Sequence, residues 1–233
     1  MSSIISPRES FDRAQQKLVD QVLILGSMVE QSVQLALQAL QRRDFTAART
    51  IYGADQLVNE KRYALEQECI TLIATQQPMA RDARFLAAVL EIITELERIG
   101  DYAKGICKIN LLMSEELVDP AVMLILQQMA DLGLDMLRRS LDAFCSQDVS
   151  AARAIPHEDD AVDDLYNQVY RLLLDRMILS PSWIDRGNHL MWAAHNLERM
   201  ADRVSNICER IVYVNTGQLR ELESFDDLGV THE

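Results

Sequence analysis

A 13-residue stretch occurs twice in this chain, and the repetition limits the fold more than any other feature. Residues 95–107 read ELERIGDYAKGIC and residues 196–208 read NLERMADRVSNIC. Six positions are identical: Leu96/Leu197, Glu97/Glu198, Arg98/Arg199, Asp101/Asp202, Ile106/Ile207 and Cys107/Cys208. Upstream, DFTAAR (44–49) is echoed by DVSAAR (148–153). The offsets, 104 and 101 residues, differ by one short gap, so the chain reads as two copies of a unit of about 100 residues. A unit of that length can hold its own core. Two similar domains in tandem are therefore expected. Both copies retain Glu-x-x-x-Asp, which on a helix sets two carboxylates one turn apart.

Leu, Ala, Gln, Glu and Arg abound, while eight Gly and five Pro leave few turns, so the expected class is all-α. Leu18, Val22, Leu25, Val29, Val33, Ala36 and Leu40 recur at spacings of three and four, the stripe of a first amphipathic helix. After a break at Arg43-Asp44, helices are expected at about 46–75 and 79–113, separated by Gln76-Gln77-Pro78. Asp119-Pro120 and Ser180-Pro181 read as helix starts, giving second-copy helices at about 120–146, 149–179 and 182–215. Pro156 should kink or split the fifth of these near Ala154-Ile155. Six long helices with short turns pack as two tandem, structurally similar three-helix bundles, placed at 8–116 and 117–216. No flexible linker separates the copies, so a stiff junction is expected. The acidic tail at 217–233 is aperiodic and should fray.

Charge and composition bound the partners. A net charge of -13 argues against nucleic acid, whose affinity rests on clustered Lys and Arg. An acidic surface suits metal cations or a basic partner, and equally plain solubility. MSSIISPRES lacks the basic start and apolar run of a signal peptide. No window reaches the roughly 18 uninterrupted apolar residues of a membrane helix. A cytoplasmic protein without direct membrane insertion is expected. Cys69, Cys107, Cys145 and Cys208 form no CxxC pair and fall in helical patterns, which fits buried or half-buried free thiols. Met79, Met113, Met123, Met129 and Met136 read as core filling.

Helical geometry separates the faces. Leu197, Met200, Val204, Ile207 and Ile211 form one stripe of the last helix, and Glu198, Asp202, Ser205 and Glu209 point away from it. Leu96, Ile99, Ala103 and Ile106 repeat that stripe in the third helix, with Glu97 and Asp101 opposite. A further i,i+4 pair precedes each motif, Asp55 with Asn59 and Asp159 with Asp163. Antiparallel packing of consecutive helices would bring these pairs alongside one another. Carboxylates one turn apart repel by a few tenths of a kcal/mol. Two such pairs side by side favour a cation between them, and oxygen-only donors suit hard or borderline ions such as Mg, Ca, Mn or Fe. The plain alternative is a charged solvent face, with Arg98 and Arg199 beside the acids as neutralisers.

ELERIGD, the duplicated three-helix pattern and the upstream DxxxN or DxxxD closely resemble the PhoU family of bacterial phosphate-signalling regulators, from about residue 8 to 215. The resemblance implies two three-helix bundles whose E/D-xxx-D motifs can hold surface metal clusters. It further implies action with the phosphate ABC transporter and its sensor histidine kinase, as a negative regulator that damps the starvation response when phosphate is plentiful. A homodimer, peripheral to the inner membrane through these partners, is the expected state. Carried onto this chain, one cluster uses Asp55, Asn59, Glu97 and Asp101, and the other Asp159, Asp163, Glu198 and Asp202. Asn59 offers only a neutral oxygen, so the first site should bind divalent or iron-type ions more weakly.

The rival reading is a carboxylate-bridged, di-iron-like enzyme or metal-storage bundle. Such sites need Glu-x-x-His facing inward, and neither Glu97 nor Glu198 has histidine three residues on. His195 precedes Glu198 by three and reads as a helix-surface or packing residue, while His157, His189 and His232 show no ligand spacing. Trp183 and Trp192 read as bundle-edge residues, and Arg81–Arg84 as a solvated stretch at a helix start. With neither a nucleophile–base pair nor a glycine-rich phosphate cradle, the chain is expected not to be an enzyme.

Overall fold

A computed structural model describes residues 7–113 and 117–222. The first copy consists of α1 (Pro7–Arg42), α2 (Phe45–Gln76) and α3 (Arg81–Leu112). The second consists of α4 (Pro120–Ser146), α5 (Val149–Ala154), α6 (Asp159–Leu179) and α7 (Ile184–Thr216). Short 3-10 turns at Ile155–Glu158 and Pro181–Trp183 complete it. The expected split at Pro156 separates α5 from α6, and no strand occurs among the described residues.

The duplicated DxxAAR segments start helices by the same device. Asp44 accepts the Ala47 N–H at 2.9 Å, and Asp148 accepts those of Ser150 and Ala151 at 2.9 and 3.0 Å. Each side chain satisfies backbone donors that the first turn leaves open. Asp119 does the same for α4, at 2.9 Å to the Ala121 N–H, with Pro120 in the first turn. Left-handed residues end α2 (Gln77, φ 47°), α4 (Gln147, φ 58°) and α7 (Gly217, φ 75°).

Within each copy the three helical layers pack pairwise, α1, α2 and α3 in one and α4, α6 and α7 in the other. The α1 stripe from Leu18 to Leu40 is buried throughout. By length and composition α1 could cross a membrane, with an 18-residue window of mean hydropathy 1.2. Its apolar stripe is instead taken up by the bundle core.

The copies join through α3 and α7, which run antiparallel. Arg81 Nη2 donates to Asn215 Oδ1 at 3.0 Å, Asn206 Nδ2 donates to Glu95 Oε2 at 3.2 Å, and the Arg199 guanidinium lies 5.5 Å from the Tyr102 ring centroid. Farther along, a Cβ on Gly105 would come within 3.1 Å of the Asn196 amide. By the 101-residue offset, Glu95 corresponds to Asn196 and Gly105 to Asn206. The two contacts are therefore images of each other, and the copies meet about a pseudo-twofold axis, an internal counterpart of an isologous dimer interface. A second seam, α1 against α4, is held by Arg138 donating to Glu30 at 2.7 Å. Gly26 faces this seam, and a Cβ there would lie 2.4 Å from Leu141 Cδ1, so that side chain would have to shift.

Several expectations are corrected. Met79 is 80% exposed, because it sits in the turn before α3 instead of on a core stripe. Cys145 is exposed, whereas Cys69, Cys107 and Cys208 are buried. Arg81 and Arg84 are not merely solvated, for both reach across to α7. The first part of the tail returns to the protein, with the Leu222 N–H donating to Glu209 at 3.1 Å. The rest of the tail, His232 included, and residues 114–116 of the junction lie outside the described residues.

Candidate functional site

Each acidic motif lies where a second-layer helix crosses the third helix of its copy. In the first copy α2 brings Asp55 to 6% exposure against α3. Gly100 lies at this crossing, where a Cβ would meet Val58 Cγ1 tightly at 3.3 Å and Asp55 Oδ1 at an ordinary 3.8 Å. Glu97 and Asp101 flank that glycine and share the field of Asp55. Burial first, and then the Asp101 charge, push the Glu97 carboxyl up, while Arg62 works the other way. Burial and Asp55 push Asp101 up, opposed by Lys104. Lys104 Nζ lies 2.7 Å from Asp55 Oδ2 and 3.8 Å from Asp101 Oδ1. Asn59 does not turn a carbonyl toward the acids; its amide nitrogen donates to Asp55 Oδ2 at 3.1 Å.

In the second copy Asp159 opens α6 directly after the Pro156 turn and is 9% exposed. Its Oδ1 is buried without a hydrogen-bond partner. Burial, followed by the charges of Asp202, Asp163, Glu198 and Asp160, raises the Asp159 carboxyl to about 7. A buried carboxyl among like charges favours its neutral form. Glu198 is raised by burial and then by Asp202, against the relief of His195, whose Nδ1 is 3.0 Å from Glu198 Oε2. Asp202 lies 3.8 Å from Arg203 Nη2, a guanidinium shared with Glu95. Ser205 Oγ, on the same face, is buried and has no partner.

All eight acidic-set residues thus assemble as the helical register required, four in each copy. Asp55 and Asp159 are the buried members, while Asp101 and Asp163 are exposed, so each cluster runs from a helix–helix crevice out to the surface. Among the described residues, no group of three or more His, Cys, Asp or Glu side chains is placed to hold a metal ion. The second cluster offers the donor type a hard cation takes, without the arrangement to hold one. Its donors are all oxygen, and one buried carboxyl oxygen lacks a partner.

Arg98 and Arg199 are not the main neutralisers, although the Arg98 charge gives Glu97 some relief. Arg98 turns back to Glu95 at 3.0 Å, and Arg199 stacks over Tyr102. Sequence reasoning missed Lys104, Arg62 and Glu95. Lys104 was legible as i+3 from Asp101, but its pairing with Asp55 depends on how α2 crosses α3.

A duplicated three-helix bundle with one carboxylate cluster per copy defines a class of tandem all-helical proteins. The PhoU domain profile matches residues 22–109 and 126–211, one match per copy, and the chain belongs to that family. It is 34% identical over 215 residues to the phosphate-specific transport system accessory protein PhoU homolog of Streptococcus pneumoniae serotype 4, covering 92% of this chain and 99% of the relative. To the phosphate-specific transport system accessory protein PhoU of Escherichia coli K12 it is 33% identical, over 89% of this chain and 86% of the relative. Crystal structures of PhoU from Streptococcus pneumoniae and Pseudomonas aeruginosa superpose with TM-scores of 0.82 and 0.83, at 33% and 28% identity. The alignments cover 90% and 89% of this chain, and 99% and 100% of those structures.

Proposed function

We propose that this chain is a non-catalytic accessory protein of a phosphate-specific transport system. It acts through the phosphate ABC transporter and its sensor histidine kinase and restrains the starvation response when phosphate is plentiful. The observation that carries the reading is the pair of acid clusters at matching crevices of a duplicated bundle, in a chain whose relatives are named phosphate-transport accessory proteins. Relatives of about one-third identity matched over nearly their whole length support transfer at this level.

The acid clusters serve as cation seats in this reading. Asp159, Asp163, Glu198 and Asp202 would hold a divalent or iron-type ion, which supplies the positive charge that four neighbouring carboxylates call for. The cation braces α6 against α7 and so fixes the surface shown to partners. Both second-layer helices leave apolar side chains in solvent: Tyr63, Ile70 and Ile73 on α2, and Tyr170, Leu174 and Ile178 on α6. Such stripes are the kind of surface that a second copy or a transporter subunit covers, which supports a homodimer and membrane association through partners.

The di-iron reading lacks the donors it needs. The residues three beyond Glu97 and Glu198 are Gly100 and Ala201, and both acids lie between paired helices and not at a bundle centre.

The test is co-purification. Detergent-solubilised phosphate transporter, affinity-tagged and bound to resin, should retain the chain, and a second, unrelated ABC transporter should not. Equal retention by both, or by neither, overturns the proposal.

A further inference from the structure

A groove of about 600 Å³ opens outward between α4 and α6 of the second copy. The two helices run antiparallel, Arg139 pairing with Glu158 toward one end and Arg176 Nη2 lying 2.8 Å from Asp119 Oδ2 at the other. Asp131, Leu132 and Asp135 line the groove from α4, and Ala161, Asp164 and Leu165 from α6. Leu132 and Leu165 pack inward on the core and make an apolar floor, while the three aspartates are exposed along the rim. Among the described residues only Asp135 of these three has a cationic partner, Arg139 at 2.8 Å, and Arg139 also serves Glu158. Asp131 accepts from the neutral Gln127 amide at 2.9 Å. The first copy does not repeat this surface. By the 104-residue offset Asp131, Asp135 and Asp164 correspond to Ser27, Gln31 and Glu60, and Leu165 to Lys61. Lys61 Nζ crosses from α2 to donate to Gln21 Oε1 on α1, so a cation stands where the second copy has its apolar floor.

We infer that the α4–α6 groove docks a basic amphipathic helix of a partner protein. Its apolar stripe lies on Leu132 and Leu165, and its Lys or Arg side chains meet Asp131, Asp135 and Asp164. Charge selects the occupant. A rim of three carboxylates with one shared counter-charge repels an anionic membrane or a nucleic acid, and a second copy of this chain, at net charge -13, brings the wrong sign. Shape selects a helix, because a rod laid between two antiparallel helices continues the packing of the bundle and buries an apolar face in a groove. The floor supplies the apolar burial, and the rim sets the orientation and speeds the encounter.

The test is binding of labelled synthetic peptides to the full chain, read by fluorescence anisotropy. One peptide of about 18 residues carries leucines at spacings of three and four, flanked by lysines, and a second has the same composition scrambled so that no apolar face forms. The chain should bind the first at least tenfold more tightly than the second. Asp131→Asn/Asp164→Asn should weaken the first peptide at least fivefold. Glu60→Gln/Glu91→Gln, which removes equal charge from exposed positions of the first copy, should change its affinity less than twofold. Leu165→Lys, which installs the residue type of the first copy, should abolish binding. Circular dichroism checks each variant, and the near-isosteric asparagine pair keeps the test decisive if the leucine variant unfolds. Equal affinity for the two peptides, or equal losses from the two charge pairs, would mean attraction by overall charge and overturns the inference, as does failure to bind the first peptide. None of these results bears on retention by the phosphate transporter, so the proposed function stands or falls separately.

Discussion

Arg203 Nη1, from the last helix of the second copy, lies 3.4 Å from Glu95 Oε2 of the first, a carboxylate only 6% exposed. Arg98 reaches the other oxygen of Glu95 at 3.0 Å, and Asn206 donates at 3.2 Å. One buried acid therefore ties the copies together at the α3–α7 seam. Replacing Glu95 by Ala leaves Arg203, itself 17% exposed, with only the 3.8 Å contact to Asp202. Breaking a buried pair from one side costs about 3–5 kcal/mol, and the partial exposure of Arg98 brings the expectation here to about 2–4 kcal/mol. Urea unfolding checks it, and a loss below about 0.5 kcal/mol would show that the seam does not depend on this acid.

Stability should fall as pH rises through the range where Asp159 titrates. An unfolded aspartate has a pKa of about 3.9, and the folded one is raised to about 7. Between these values the folded chain holds a proton that the unfolded chain has lost. The favourable contribution is thus present at low pH and disappears toward neutrality. In chelator, the stability of Asp159→Asn relative to wild type should rise by about 1–3 kcal/mol between pH 5 and pH 8. Parallel pH profiles for the two proteins would contradict this account of the site.

The two aspartate caps should behave as equivalents. Asp44→Ala and Asp148→Ala each remove a side-chain acceptor from a helix start and should each cost about 1 kcal/mol. They share no partner, so the double variant should cost the sum. Denaturation midpoints of the two single variants and the double variant test this.

Thiol reactivity should separate one cysteine from three. Burial pushes the thiols of Cys69, Cys107 and Cys208 up to about 12; Cys145 is raised too, by burial and then by Asp142 and Asp20, but its side chain is exposed. A disulfide reagent at pH 8 should titrate a single thiol quickly in the native protein and all four in denaturant. More than one fast thiol would mean that a core helix opens readily.

Much of this architecture could be read in advance, and for a common reason. The stripe from Leu18 to Leu40, the caps at Asp44 and Asp148 and the break at Pro156 are local, set by spacing or by one residue's backbone chemistry. The acid sets also followed from register, since i,i+4 pairs on neighbouring helices must meet if the helices do. What escaped were contacts decided by packing between elements. Nothing in the spacing of Lys104 says that its ammonium passes Asp101 and settles on Asp55. Nothing local shows that Glu95, a polar position on α3, is buried by the second copy. Met79 and Cys145 were misplaced because they lie at a helix boundary and an outer face, where a periodic apolar pattern loses its meaning.

The central claim is regulatory, and expression tests it most directly. A strain lacking this gene, carrying a phosphate-starvation reporter, would be grown in high phosphate with an empty vector, with the wild-type gene, or with Asp159→Asn/Glu198→Gln. The reporter should be on with the empty vector, off with the wild-type gene and at least partly on with the variant present at equal protein level. A reporter that stays off in the strain lacking the gene would contradict the assignment as a brake on the phosphate response.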